Sequence, residues 1–282
     1  MSVLVGVHGI AKQQLGRHQL IDPWQRALAD GIERATGRRH GLPPLDMAFY
    51  GDVFLTPSGS GKSGVDPDER LLDDLSDDEV SELMAAAAEV VPVEQDVDDA
   101  KAYTKAPLAL QPALRALDQR FGPLTGRLYF GELRQVRRYL YDKDIKARVD
   151  AAMAAAVGPT CRIIVAHSLG SVVAWEYVRQ NPDHPLDLLL TCGSPLGLRM
   201  VRSRLPEFDG EAGERPSHVS RWVNLRDPHD PVACAGDLRH WWSGVGEVSV
   251  NNQGDAHSAL RYLSKREAGE VVVAAAPQLA AL

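Results

Sequence analysis

Ser168 lies in the stretch VAHSLGSVV at 165–173, between the apolar run CRIIVA and the helix-like stretch VVAWEYVRQ. Ala166 stands two residues before it and Gly170 two after, so A-H-S-L-G is set against the elbow pattern G-x-S-x-G. Such an elbow is a sharp strand-to-helix turn that lifts the serine hydroxyl above a sheet. Strand and helix pass closely there, so the flanking residues must be small. Ala166 adds one methyl group to the first glycine and still meets that requirement. The chemistry on offer is attack on a carbonyl carbon. A serine hydroxyl is a poor nucleophile, so it needs a base within hydrogen-bond reach and a third group to orient the base.

Elbow folds supply these partners in the chain order Ser, Asp/Glu, His. The apolar stretch VSRWVNL is followed by RDPHDPV, which offers Asp227 and Asp230. Asp230 stands farther out on this loop, just before Pro231 and Val232, and is the preferred acid. Asp227 is the alternative, or a brace for the turn. The last strand-like stretch, GEVSV, is followed by NNQGDAHSAL, so His257 falls just beyond a strand end, opening a helix. An acyl-transfer site also needs donors for an oxyanion. The backbone N–H of Leu169 is one. The loop V-H-G-I at 7–10 offers Ile10 N–H as the second, with Gly9 allowing the turn and His8 bracing it.

These residues require a framework. Short apolar runs bounded by turn residues predict strands at 3–7, 46–50, 161–166, 186–191, 219–225 and 247–250. Helical spacing predicts helices at 23–35, with Asp22 as N-cap and Pro23 first, and at 143–156, 171–180 and 257–266. The tail VVVAAAPQLAAL reads as a terminal helix broken at Pro277. Alternating strands and helices, with several strands apolar throughout, predict an α/β fold with a mostly parallel sheet covered on both faces. The alternation stops between Val53 and about Gly126. Fourteen acidic residues and one basic residue fall in 66–99, and eleven basic and four acidic in 101–148. A charged helical insertion at about 55–126, with acidic and basic faces that pair, is expected as a cap on a single domain.

At this point the chain resembles the α/β-hydrolase superfamily, nearest to its lipase- and esterase-like members. The residues that carry the resemblance are VHGI at 7–10, AHSLG at 166–170, TCGSPLG at 191–197, the Asp230 turn and His257. It covers about 2–54 and 127–266 and leaves out the insertion. It implies a serine hydrolase that cleaves a carboxylic ester through an acyl-enzyme, with Ser168, Asp230 and His257 as triad and no cofactor or metal. The substrate expected is a small-molecule or lipid ester. An amidase or peptidase on the same triad, or a binding scaffold that keeps the fold without turnover, are the alternatives.

Bulk properties set limits. A net charge of -7 and pI near 5.7 argue against a nucleic-acid binder. The opening MSVLVGVHGI has no basic n-region, and no run of eighteen apolar residues occurs, so neither a secretory signal nor a membrane span is expected. Three scattered cysteines fit neither a disulfide framework nor a zinc site, and a cytoplasmic protein is the expectation. SGSGKSG at 58–64 imitates a phosphate loop, but Thr56 stands where G-x-x-x-x-G-K-[ST] needs glycine, and acids follow; it reads as a linker. His18, His40, His184, His218 and His229 read as surface residues. Arg199, Arg202 and Arg204 read as a solvated loop.

Overall fold

Eight strands form in the computed structural model, which describes residues 3–10, 15–54, 72, 74–93, 106–206, 208 and 212–281. They are β1 (Leu4–Val7), β2 (Leu45–Ala48), β3 (Ile163–His167), β4 (Leu188–Cys192), β5 (Gly213–Glu214), β6 (Trp222–Arg226), β7 (Trp242–Ser243) and β8 (Val245–Ser249). β5 and β7 pair only with each other. The remaining six are the six expected strands. They build one sheet in the order β2-β1-β3-β4-β6-β8, with every ladder parallel. Their ends shift by at most three residues from expectation because neighbouring strands set the register. β8 starts at Val245, for example, opposite Trp222.

A parallel sheet needs crossovers that cover both its faces. Alternate side chains point to opposite faces. Leu4, Met47, Ile163, Val165, Leu188 and Leu190 pack with α1 (Arg17–Thr36) and the C-terminal helix on one side. Val5, Val7, Ile164, Ala166 and Leu189 share the opposite core with the helices of the middle segment. No helix among the described residues is long and apolar enough to cross a membrane.

Helix α1 begins earlier than expected. It starts at Arg17, with Gly16 in the cap position and the Gln19 side chain accepting from Gly16 N–H at 2.7 Å. Leu20 explains this. Buried one turn ahead of Trp24, it extends the apolar stripe Leu20, Trp24, Ala27, Leu28, Ile32. Pro23 therefore lies inside the helix and forfeits one backbone bond, while Asp22 pairs with Arg26 one turn on rather than capping.

The middle segment carries α2 (Asp77–Ala88), α3 (Gln111–Phe121), α4 (Thr125–Tyr141) and α5 (Lys143–Ala156), and no strand among its described residues. Ser76 and Glu79 form a capping box at the start of α2, and Asp142 caps α5. The expected pairing of acidic and basic faces is present between α2 and α4: Arg137 lies 2.8 Å from Glu82 and 3.5 Å from Glu79. The insertion is nevertheless more than a charged surface. Leu83, Ala86, Ala87, Leu114 and Leu117 are buried in the same core as Val7 and Ala166. Its expected end near Gly126 falls in the first turn of α4. The stretch at 58–64 lies outside the described residues.

After β3 come α6 (Leu169–Gln180) and the single turn α7 (Arg199–Arg202). The one helix expected at 257–266 is two, α8 (Ala259–Leu263) and α9 (Arg266–Ala275), with the break at Ser264 and Lys265. His257 sits in the turn just before the cap residue Ser258, not inside the helix. The break lets α9 lie along α1. There the backbones touch: a Cβ on Gly31 would overlap the carbonyl oxygen of Leu263, and one on Gly269 would overlap that of Gly31. The tail follows its expectation, with α9 ending before Pro277 and a 3-10 turn after it. Gly269→Ala should lower unfolding free energy by about 1–3 kcal/mol through this overlap. Urea denaturation measures it, and an unchanged midpoint would show that α1 and α9 separate without cost.

Candidate active site

β3 ends at His167 and α6 begins at Leu169, so Ser168 makes the whole turn alone. Its φ of 54° and ψ of -128° lie outside the regions ordinary residues prefer. Three hydrogen bonds hold its backbone there, one of them from Ser171 N–H to Ser168 O at 2.9 Å. Ser168 N–H donates to Cys192 O at 3.1 Å, and Ser171 Oγ donates to Ser168 O at 2.6 Å. Ser171 Oγ also meets Ser194 Oγ at 2.7 Å, so the GSPL turn after β4 ties into the elbow. A Cβ on Gly170 would overlap the carbonyl oxygen of Val7. Ala166 is fully buried within the core, which accommodates its methyl group.

The strand order reverses between β1 and β3, since β1 leads to β2 on one side and β3 to β4 on the other. In open parallel sheets, ligands bind beyond the carboxyl ends of the strands at such a switch point. The 8–10 loop lies at that place. His8 accepts from Tyr50 N–H through Nε2 at 3.2 Å, so its proton is on Nδ1, which donates to Gly9 O at 2.6 Å. Its ring stacks on Tyr50, whose hydroxyl donates to His8 O. Thus braced, Gly9 passes so close to the elbow that a Cβ on it would stand 2.9 Å from Ser168 Cβ. Ile10 follows directly. Leu169 N–H belongs to the first turn of α6, where backbone donors have no partner within the helix. A helix N-terminus of this kind favours developing negative charge.

Asp227 and Asp230 are both fully buried, and they divide the work. Asp230 holds His257 Nδ1 with both oxygens, at 2.8 and 2.9 Å. It also accepts from Tyr262 Oη at 2.8 Å and from Val232 N–H at 3.0 Å. Asp227 accepts from the backbone N–H groups of His229 and Asn252, and so braces the loops after β6 and β8. His167, the variable residue of the elbow, donates from Nε2 to His257 O at 2.8 Å and fixes the backbone of that histidine.

One residue of the site was not foreseen. Glu132 of α4, 3% exposed, reaches between Ser168 and His257. Ser168 Oγ donates to Glu132 Oε2, and Glu132 Oε1 lies 3.4 Å from His257 Nε2. That nitrogen makes no hydrogen bond, so Ser168 and His257 are not bonded to each other here. Burial disfavours a charged His257, but the Asp230 and Glu132 carboxylates outweigh it and raise its pKa to about 10. A signal for Glu132 exists in the sequence. It is the lone acid on the stripe Tyr129, Leu133, Val136, where helical spacing places apolar side chains.

Other expectations are corrected. Arg202 is buried: its guanidinium lies 3.6 Å from the centre of the Trp241 ring, and Nε donates to Gly197 O. Arg204 stacks on Tyr141 at 3.9 Å. Arg202 thus ties α7 to its neighbours, whereas Arg199 and Arg204 stay exposed, as expected. His184 and His218 are half-buried and bond the carbonyl oxygens of Cys161 and Val178 at 2.9 and 3.1 Å. Among the described residues no group of three or more His, Cys, Asp or Glu could hold a metal ion. Comparisons of the chain with protein-family models, with curated proteins and with solved structures find no match.

The charge on His257 gives stability a pH dependence. A pKa raised from 6.5 to about 10 means that its contribution is complete below about pH 6.5 and is lost as pH rises through about 10. Denaturation free energy should fall across that window, and fall less in Glu132→Gln, where one of the two carboxylates is gone. A variant profile as steep as the wild type would contradict the ion pair.

Proposed function

We propose that this chain is a serine hydrolase of α/β-hydrolase type that cleaves a carboxylic ester through an acyl-enzyme on Ser168. The observation that carries this reading is the convergence at one switch point of a strained serine turn and a buried His257–Asp230 pair from two other strand ends. Ser168 Oγ attacks the carbonyl carbon, and His257 takes its proton through Nε2. Asp230 fixes the tautomer by holding Nδ1–H and stabilises the imidazolium that forms. The N–H groups of Leu169 and Ile10 bind the oxyanion, each worth about 2.7–4 kcal/mol in the transition state. His257 then protonates the departing alcohol, and a water repeats the sequence on the acyl-enzyme. For this to begin, the Ser168 hydroxyl turns from Glu132 to Nε2 and His257 yields its proton. An ester fits better than an amide because an alkoxide leaves more readily than an amine.

A fluorophosphonate should form one adduct on Ser168, located by mass spectrometry and absent from Ser168→Ala and from protein denatured beforehand. A folded protein that takes no label would sink the hydrolase reading. Asp230→Asn should slow labelling by about 10⁴-fold, the cost of the wrong tautomer, while Asp227→Asn should act mainly on stability. Equal losses of labelling rate in two folded variants would overturn the choice of acid.

A further inference from the structure

Glu132 is anchored. Its helix neighbours Tyr129, Phe130, Leu133 and Val136 are all fully buried, so its backbone is held beside the elbow and only the side chain can turn. The carboxylate therefore remains near the reacting atoms when a substrate binds. At rest it accepts from Ser168 and faces the His257 ring. The proposed chemistry withdraws both partners. The serine hydroxyl must turn to Nε2, and His257 must be neutral to accept its proton. Two buried carboxylates then flank an uncharged imidazole, and breaking a buried ion pair in this way is strongly unfavourable. The groups that face this cluster are Asp230 and Cys234 from the loop after β6, His167 and Ser168 from the elbow, Tyr262 from α8, and Tyr50 beside Glu132. Arg120 and Arg226 act on Cys234 from farther out, but Arg120 is exposed and Arg226 is committed to Glu247 at 2.9 Å, and among the described residues no lysine or arginine bonds Glu132 or Asp230.

We propose that Glu132 selects substrates that carry a protonated amine next to the scissile carbonyl, the ammonium taking the place of the imidazolium against the carboxylate. This rests on the serine-hydrolase reading. Binding exchanges one cation for another. The ammonium enters, one proton leaves His257 Nε2 for water, and the net buried charge is unchanged. The base becomes competent as the substrate arrives. A neutral ester offers no such exchange: it leaves a protonated base or an unpaired carboxylate.

Two matched pairs of esters test this on the full chain. Glycyl and propionyl p-nitrophenyl esters differ by ammonium against methyl on the acyl side. Dimethylaminoethyl and isoamyl acetates differ in the same way on the alcohol side. After correction for uncatalysed hydrolysis, wild-type kcat/KM should favour the cationic member of one pair by at least about tenfold, because the neutral analogue leaves a buried polar group unpaired. Glu132→Gln and Glu132→Leu, each checked for folding by circular dichroism, should erase that ratio and raise kcat/KM on the neutral ester. Glu132→Asp, which keeps the charge, should preserve the direction of the preference. No preference in either pair, or a preference that survives both neutral variants, overturns the proposal. If no ester is cleaved while Ser168 still takes a fluorophosphonate, this proposal falls and the hydrolase reading stands. If Ser168 is also inert, both fall.

Discussion

The carbonyl oxygens of Val7 and His8 lie against the Cα of Gly170 with no room between them for a side chain. That approach sets how α6 leaves the sheet, and the rest of the site takes its position from it. It brings the N-terminus of α6 against the end of β1, so the first-turn N–H groups face the place where the 8–10 loop passes Ser168. It forces the chain to turn from strand to helix within one residue, which is why Ser168 has positive φ. Strain of this kind amounts to about 1–3 kcal/mol and persists only where the surroundings fix it. Here the bonds to Cys192 and Ser171 hold the peptide from both sides.

Apart from Asp227, which backbone N–H groups satisfy, the buried acids among the described residues fall into two kinds. Glu176 is met by Lys146 at 2.7 Å and Arg179 at 3.0 Å, and Glu247 by Arg226 at 2.9 Å. Their partners stay charged at any ordinary pH, so these pairs are fixed parts of the scaffold. Asp230 and Glu132 share His257, whose charge can be given up. Permanent cations thus stand in the scaffold and a titratable one stands beside Ser168. Tyr262 and His167 add hydrogen bonds around this cluster and hold its geometry.

Much of this was legible in the sequence, and the misses have physical causes. The strands stood out because a parallel strand is apolar on both faces and bounded by turn residues. The elbow, the two aspartates and His257 could be placed because each follows a strand end. Local pattern misled at Pro23, where the burial of Leu20 outweighed a good cap signal, and at Ser264, where docking against α1 broke a continuous helical pattern. Arg202 was misread because a cation stacked on an indole has the same sequence as a solvated one. Glu132 was missed among basic residues. Helical spacing marks it as an acid on an apolar stripe, but what that stripe packs against depends on where α4 docks, and local spacing does not report that.

The meeting of Gly31 and Gly269 joins a helix that leaves the first strand to one that follows the last. A face of the sheet closed by such a contact cannot be completed by local folding alone. The chain must bring together segments separated by nearly its whole length before the core around Leu4 and Val165 is sealed. Folds dominated by such distant contacts form slowly, because the entropy of closing the loop is lost before the contact rewards it. On the opposite face α6 packs on β3, and α4 and α5 pack on one another and on α6, so most of that side is assembled from segments much nearer in sequence, the contacts of α5 with β2 and of α6 with β1 apart. The two sides of one sheet thus differ in the distance along the chain over which they must be gathered, and the side bearing Glu132 is the more local of the two.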